Sequence, residues 1–258
     1  MNNPTRRNRN IGTAKQGFKR QNRFDIPCYF LREDKIYWEK LTDYKKVEKQ
    51  INGQKFTFIV EKTSKDYFHA CTVEDLEMIL QHVSSNYYQD LRTIILRQPK
   101  RTERIFSPVW GRLVFYYEFE TESFPAIILE SVKKGSTFSW SRKADIDTQK
   151  ELERLRNDGF EFIEDKRSYE INLTLENVRN TQLYRTLLHE IGHYVQYCED
   201  SEKFDTLPSA EKEVFAHNFA DKLKLELEQK SVIPFPRKFS QESCVQYGLN
   251  PNDFLEND

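Results

Sequence analysis

The 258-residue chain is short of several things, and each shortage excludes something. Cysteine occurs only at Cys28, Cys71, Cys198 and Cys244, with no Cys-x-x-Cys pair and nothing ahead of them that reads as a secretory leader. A disulfide scaffold is therefore not expected, and free thiols in a reducing cytoplasm are. No apolar run approaches the roughly 18 residues of a membrane span, and mean hydropathy is −0.78. No membrane contact is expected. Acidic residues are missing from the first 23 positions, where Arg6, Arg7, Arg9, Lys15, Lys19, Arg20 and Arg23 give +7 and leave −8 on the remainder of a chain of net charge −1. That stretch has too few apolar residues to fold alone, so residues 1–23 are expected to be a basic disordered tail. A solvated extension is its plain reading; contact with nucleic acid or an acidic partner is the alternative. Glycine is also scarce, at 8 residues, while aromatics reach 14% and are assigned to the core by default.

Histidine is rarer still, at 5, yet two of the five stand four residues apart in Thr186-Leu187-Leu188-His189-Glu190-Ile191-Gly192-His193-Tyr194, with a carboxylate directly after the first. On a helix that spacing makes a zinc site with a base built in. The segment suits a helix, because no proline interrupts it from Thr181, read as the N-cap, to about Cys198. With His189 at zero, Leu187, Ile191, Val195 and Cys198 fall at roughly 160° to 240°, His193 at about 40° and Glu190 at about 100°. One face is apolar and the opposite face carries the histidines. Gly192 costs a helix interior about 1 kcal/mol relative to alanine, which suggests that another backbone or a ligand passes close to that turn.

A catalytic zinc takes three protein ligands and leaves one position for water, so a third ligand is needed downstream. Residues 208–223 open with Pro208 and Ser209, read as a cap, then run helically through Glu213, Ala216, His217 and Ala220 on one face. The two alanines allow close approach to the first helix, and Glu213 is the third ligand this reading selects over Glu211 and Asp221. Neither His69 nor His82 has ligand spacing to anything, and both are read as structural.

Together, His189-Glu190-Ile191-Gly192-His193 and Glu213-Val214-Phe215-Ala216-His217-Asn218-Phe219-Ala220 resemble the active site of gluzincin-type zinc metallopeptidases, and within them the ImmA/IrrE group of intracellular regulatory proteases. The resemblance spans residues 181–225. His217 stands where that group usually has Asn, and its usual Leu-Leu-Met-Pro ending is missing. The resemblance implies one Zn2+ per chain, held by His189, His193 and Glu213, and amide hydrolysis with Glu190 as the catalytic base that takes a proton from water and passes it to the leaving amine. His217 would orient a ligand or donate a hydrogen bond to the oxyanion, with Tyr197 a second candidate for that donor.

The rest of the chain reads as α+β, a zincin-like arrangement of antiparallel or mixed sheet packed beside an active-site helix and a second ligand-bearing helix. A turn at Ile51-Asn52-Gly53-Gln54 precedes a strand over 56–60, and Thr72 with Asp75 starts a helix to about Val83. Strands are expected over 93–96, 113–119 and 126–130, the middle one entered through Ser107-Pro108-Val109-Trp110-Gly111, and a charged helix over 145–157. Strands over 160–163 and 169–173 come last before the zinc helix, and one of them is expected to be the edge beside the metal that receives an extended peptide. This divides the chain into the tail, a sheet-rich lobe over 24–143 that would select substrate or cover the site, and a metallopeptidase lobe over 144–258, the last two separate or joined as one compact domain. The function expected is a soluble cytoplasmic zinc metallopeptidase acting selectively on a protein or peptide substrate, as a regulator or as a toxin-like effector. A zincin scaffold that holds zinc without turnover and binds protein or nucleic acid is the alternative.

Overall fold

Central strands that are apolar on both faces build the largest element, a mixed sheet, in a computed structural model that describes residues 37–38, 41–99, 110–143 and 146–256. The expected basic tail, the start of the following lobe and the Ser107–Val109 connection lie outside these residues. In chain order the strands are β1 (Tyr37–Trp38), β2 (Tyr44–Ile51), β3 (Gln54–Glu61), β4 (Tyr67–Phe68), β5 (Thr93–Arg97), β6 (Gly111–Phe119), β7 (Glu122–Glu130), β8 (Val132–Lys133), β9 (Thr137–Ser141), β10 (Phe162–Glu164) and β11 (Ser168–Asn172). The helices are α1 (Val73–His82), α2 (Ile146–Asn157), α3 (Leu175–Thr181), α4 (Leu187–Glu199), α5 (Ser201–Thr206), α6 (Ser209–Gln229) and α7 (Gln241–Gln246). The fold is α+β.

Six strands pair in the order β1-β6-β7-β5-β3-β2. The contacts β1–β6, β3–β5 and β5–β7 are parallel, and β2–β3 and β6–β7 are antiparallel. Asn52 and Gly53 both sit at positive φ, 50° and 75°, in a two-residue turn that pairs Ile51 with Gln54. A turn of that hand matches the twist of the strands it joins, and Asn and Gly occupy it at little steric cost. Its first strand, β2, carries no strand signal in the sequence, because a lysine-rich sheet edge buries only Val47 and Ile51.

The two faces of the sheet are apolar for different reasons. Phe56, Phe58, Val60, Ile94, Leu96, Ile127 and Leu129 meet α1, α4 and α6 through Leu76, Ile79, Leu187, Leu188, Ile191, Leu223 and Leu227 in one core. Ile59, Ile95, Ala126 and Ile128 point the other way and cluster with Leu41, Val114, Tyr117 and Phe119. Glu190 and the histidines of α4 therefore ride on a helix whose opposite face is anchored in the main core.

Three expectations change. Strands β10 and β11 pair with β9 in a separate three-stranded sheet, order β10-β11-β9, so the strand running beside α4 is β6 and not either of the last two. Thr181 is no cap: it lies at φ −62°, ψ −47° inside continuous helix, with its hydroxyl donating to Asp158 Oδ2 at 2.8 Å. The capping box belongs to Thr174 and Asn177, which open α3, and one wider π-helical turn, Gln182–Thr186, carries α3 into α4. Nor does Ser209 cap α6, where Pro208 occupies the cap position without a side-chain bond.

His69 and His82 have structural partners, as expected. His69 is buried against Phe254 and donates from Nε2 to the Glu61 carbonyl at 2.7 Å; His82 Nδ1 meets the Met78 carbonyl at the end of α1. Burial pushes the His69 imidazole down from 6.5 to about 4, against the upward pull of the Glu61 carbonyl. The folded protein keeps this ring neutral while the unfolded chain takes up a proton, so its contribution is complete above about pH 6.5 and is lost as pH falls toward about 4. The loss is of order 3 kcal/mol. His69→Gln keeps a donor for Glu61 and is expected to flatten this part of the curve, read from urea midpoints between pH 7 and 4.5; an unchanged slope would exclude His69 as its source.

Candidate metal centre

Two helices bring the site together, and the smallest residues decide how close they come. A Cβ added to Gly192 would lie 3.1 Å from Ala216 Cα and 3.2 Å from its carbonyl oxygen, so α4 and α6 touch backbone to backbone at that turn. Gly192 thus tolerates its helix cost because a second backbone occupies the space a side chain would fill. Glu213 and His217 flank Ala216 on α6, which sets them opposite His189 and His193.

The three sequence-predicted ligands converge. Glu213 Oε2 lies 3.2 Å from His189 Nε2, and its Oε1 lies 3.5 Å from His193 Nε2. Zinc ligands about 2.0–2.2 Å from the metal sit about 3.3–3.6 Å apart along the edges of a tetrahedron. The two separations, one to each Glu213 oxygen, lie near that edge length, while the residues whose ligand atoms all fall within 4.8 Å of one another are His189, Glu213 and His217, without His193. The imidazoles are nearly buried, at 12% and 13% exposure, whereas Glu213 is 52% exposed. Hydrogen bonds from His189 and then His193 hold the Glu213 carboxyl well below the ordinary range, so it is an anion whenever the protein is folded.

Glu190 stands beside this set without joining it. It is buried, and its Oε2 accepts the Leu113 backbone N–H from β6 at 2.8 Å. Burial raises its pKa, opposed by His189, His193 and that backbone bond. A carboxylate both held in place and made more basic is what proton abstraction from water requires. It opens into a cleft of about 280 Å3 lined also by Trp110, Gly111, Glu151, Arg185, His189 and His217. Gly111 is confined too, since a Cβ there would come within 2.8 Å of the Ile128 carbonyl and of Thr186 at the entrance to α4.

His217 is closer to the centre than its spacing alone required. A ligand atom each from His189, Glu213 and His217 falls within 4.8 Å of the others, and the His189 and His217 rings are 4.4 Å apart. Burial, then the charges of His189 and Arg154, lower its pKa to about 4. Tyr197 is placed differently. Its hydroxyl pairs with that of Tyr116 at 2.5 Å and its ring packs on Phe115, so it does not line the cleft.

The residues that sequence reasoning missed are ionic. Glu151 accepts from Arg185 Nη1 at 2.5 Å and from Arg154 Nη1 at 3.4 Å, and Arg185 Nε lies 3.0 Å from Asp158 Oδ2. Arg185 stands four residues before His189 on one helical face, a spacing that could have flagged it. Glu151 and Arg154 lie on α2, read only as a charged helix, and no sequence pattern joins them to the site. Comparison of the chain with family models, with curated proteins and with solved structures gave no match. Among the described residues no helix is long and apolar enough to cross a membrane.

Proposed function

We propose that this chain is a zinc-dependent metallopeptidase of the gluzincin type, similar to the ImmA/IrrE group, hydrolysing peptide bonds of a protein substrate in the cytoplasm. Its zincin-like core is α4 and α6 beneath the strand β6. The observation that carries the reading is that the Glu213 carboxylate meets His189 at 3.2 Å and His193 at 3.5 Å, with Glu190 beside His189 in a cleft. A bound zinc ion would supply Lewis acidity, making water a nucleophile near neutral pH and polarising the scissile carbonyl.

The protein's own groups then have separate tasks. Both histidines present Nε2, neutral when acting as ligands, and Glu213 contributes one negative charge. Glu190, aimed by the Leu113 N–H, takes the proton from water and returns it to the leaving amine. In the first half of β6, Leu113 N–H points away from β7, and β1 reaches only Tyr117 and Glu118. Among the described residues no strand pairs with β6 on this side, so an extended peptide could add along the edge flanking the Leu113–Glu190 bond. One further reading has a specific observation behind it: His217, so near His189 and Glu213, would as a fourth ligand close the site and make the metal structural.

Metal content tests the proposal. Purified protein reconstituted with zinc is expected to hold one ion per chain, measured by elemental analysis. His193→Ala or Glu213→Ala should weaken binding by more than the roughly 10–100-fold typical of losing an outer-sphere partner. A wild-type chain that takes up no zinc would end the proposal.

A further inference from the structure

Arg154 reaches into the site from α2, an element unconnected to the two ligand-bearing helices. Its Nη1 lies 3.2 Å from His217 Nε2 and 3.4 Å from Glu151 Oε2. Guanidinium is charged at any working pH and has hydrogens but no acceptor, so it can only donate. The two hydrogens of Nη1 serve the two contacts, and Glu151, itself held by Arg185, keeps the guanidinium in place. His217 Nε2 must then present its lone pair to Arg154. The ring proton is left on Nδ1.

We infer that Arg154 is a positioning residue that holds His217 as the Nδ1–H tautomer, making it a neutral hydrogen-bond donor in the cleft rather than a fourth metal ligand. A lone pair committed to Arg154 is not available to a cation, and a guanidinium at 3.2 Å repels one. His217 lines the same cleft as Glu190, so its N–H is available to a substrate oxygen that gains negative charge as water adds. The inference rests on the proposed zinc site for its catalytic consequence, while the tautomer itself does not depend on zinc being present.

The test uses the full chain labelled with 15N-histidine, with and without zinc, and reads the two ring-nitrogen shifts of His217, assigned by their loss in His217→Asn. Wild type is expected to show a protonated Nδ1 and a bare Nε2 in both states. Arg154→Met, which keeps the aliphatic stem but no donor, should move the ring toward Nε2–H, and Arg154→Lys should restore the original pattern. X-ray absorption of the zinc form should count two imidazoles. On an internally quenched peptide library, kcat should fall about 10-fold in Arg154→Met with KM little changed, and recover in Arg154→Lys. His217→Asn can accept from Arg154 and donate from its amide, so it should keep zinc and lose at most a few-fold in kcat.

Three imidazoles on the metal, a His217 tautomer unmoved in Arg154→Met, or zinc lost from His217→Asn would each overturn the inference. Failure of the peptidase proposal looks different. Zinc that never binds, or zinc bound without any cleavage, leaves the tautomer measurement intact and decided on its own.

Discussion

Glu190→Gln is expected to lower cleavage by about 10²–10⁴-fold while zinc content stays at the wild-type level. Glutamine keeps the shape of the side chain and an oxygen to accept the Leu113 N–H, so the helix, the cleft and the ligand geometry should persist. What disappears is the basic oxygen. Glu190 is well chosen for the test because its carboxylate is buried and made more basic by that burial. A purely structural zinc site has no use for such a group beside its ligand. The measurement pairs elemental analysis with turnover of a quenched peptide library. A Gln variant that holds zinc and cleaves at the wild-type rate would remove Glu190 from the chemistry, and a wild type that holds zinc and cleaves nothing would favour the scaffold reading.

Asp75→Asn should cost the fold about 3–5 kcal/mol, the largest stability loss foreseen here. Asp75 is fully buried and meets Arg179 in two parallel bonds, Nε to Oδ2 at 3.1 Å and Nη2 to Oδ1 at 2.8 Å. The same carboxylate accepts the backbone N–H of Lys238 at 2.9 Å and of Thr72 at 3.2 Å. One side chain therefore ties α1, α3 and the segment after α6 together. Arg179 stands near the end of α3, which runs through the π-helical turn into α4, so this pair helps fix where α4 begins. Neutralising Asp75 leaves a buried guanidinium without its counter-charge, and that desolvated charge is the source of the cost. Urea unfolding of Asp75→Asn against Asp75→Leu/Arg179→Met separates the causes. The double variant removes both charges and should recover part of the loss. A single-variant cost below about 1 kcal/mol would show that the pair is hydrated and contributes little.

Asp75 also shows how far local sequence carries. Its place three residues after Thr72 identifies a capping box, and the structure has that box, with Thr72 Oγ1 accepting from Asp75 N at 3.0 Å. Nothing local identifies Arg179, 104 residues away, as its partner. The Thr181 cap failed for a related reason. A threonine before an apolar helical run resembles a cap whether or not the preceding turn is helical, and only packing against Asp158 shows that it lies inside. The edge strand was misplaced because both candidate strands carry good alternation, and alternation says which face is apolar, not which sheet a strand joins.

The sequence by itself determined what repeats within a turn or two of chain: the His189–His193 spacing, the apolar back of their helix, the small residues at Gly192 and Ala216, the Asn52-Gly53 turn and the Thr72 cap. These follow from backbone periodicity and local sterics, which neighbouring residues largely settle. Tertiary structure alone decided that β6 is the strand beside Glu190, that Arg154 and Glu151 reach the site from α2, and that Asp75 faces Arg179. Such contacts join segments tens of residues apart, and their selection depends on how apolar faces and buried charges can all be satisfied at once across the whole fold.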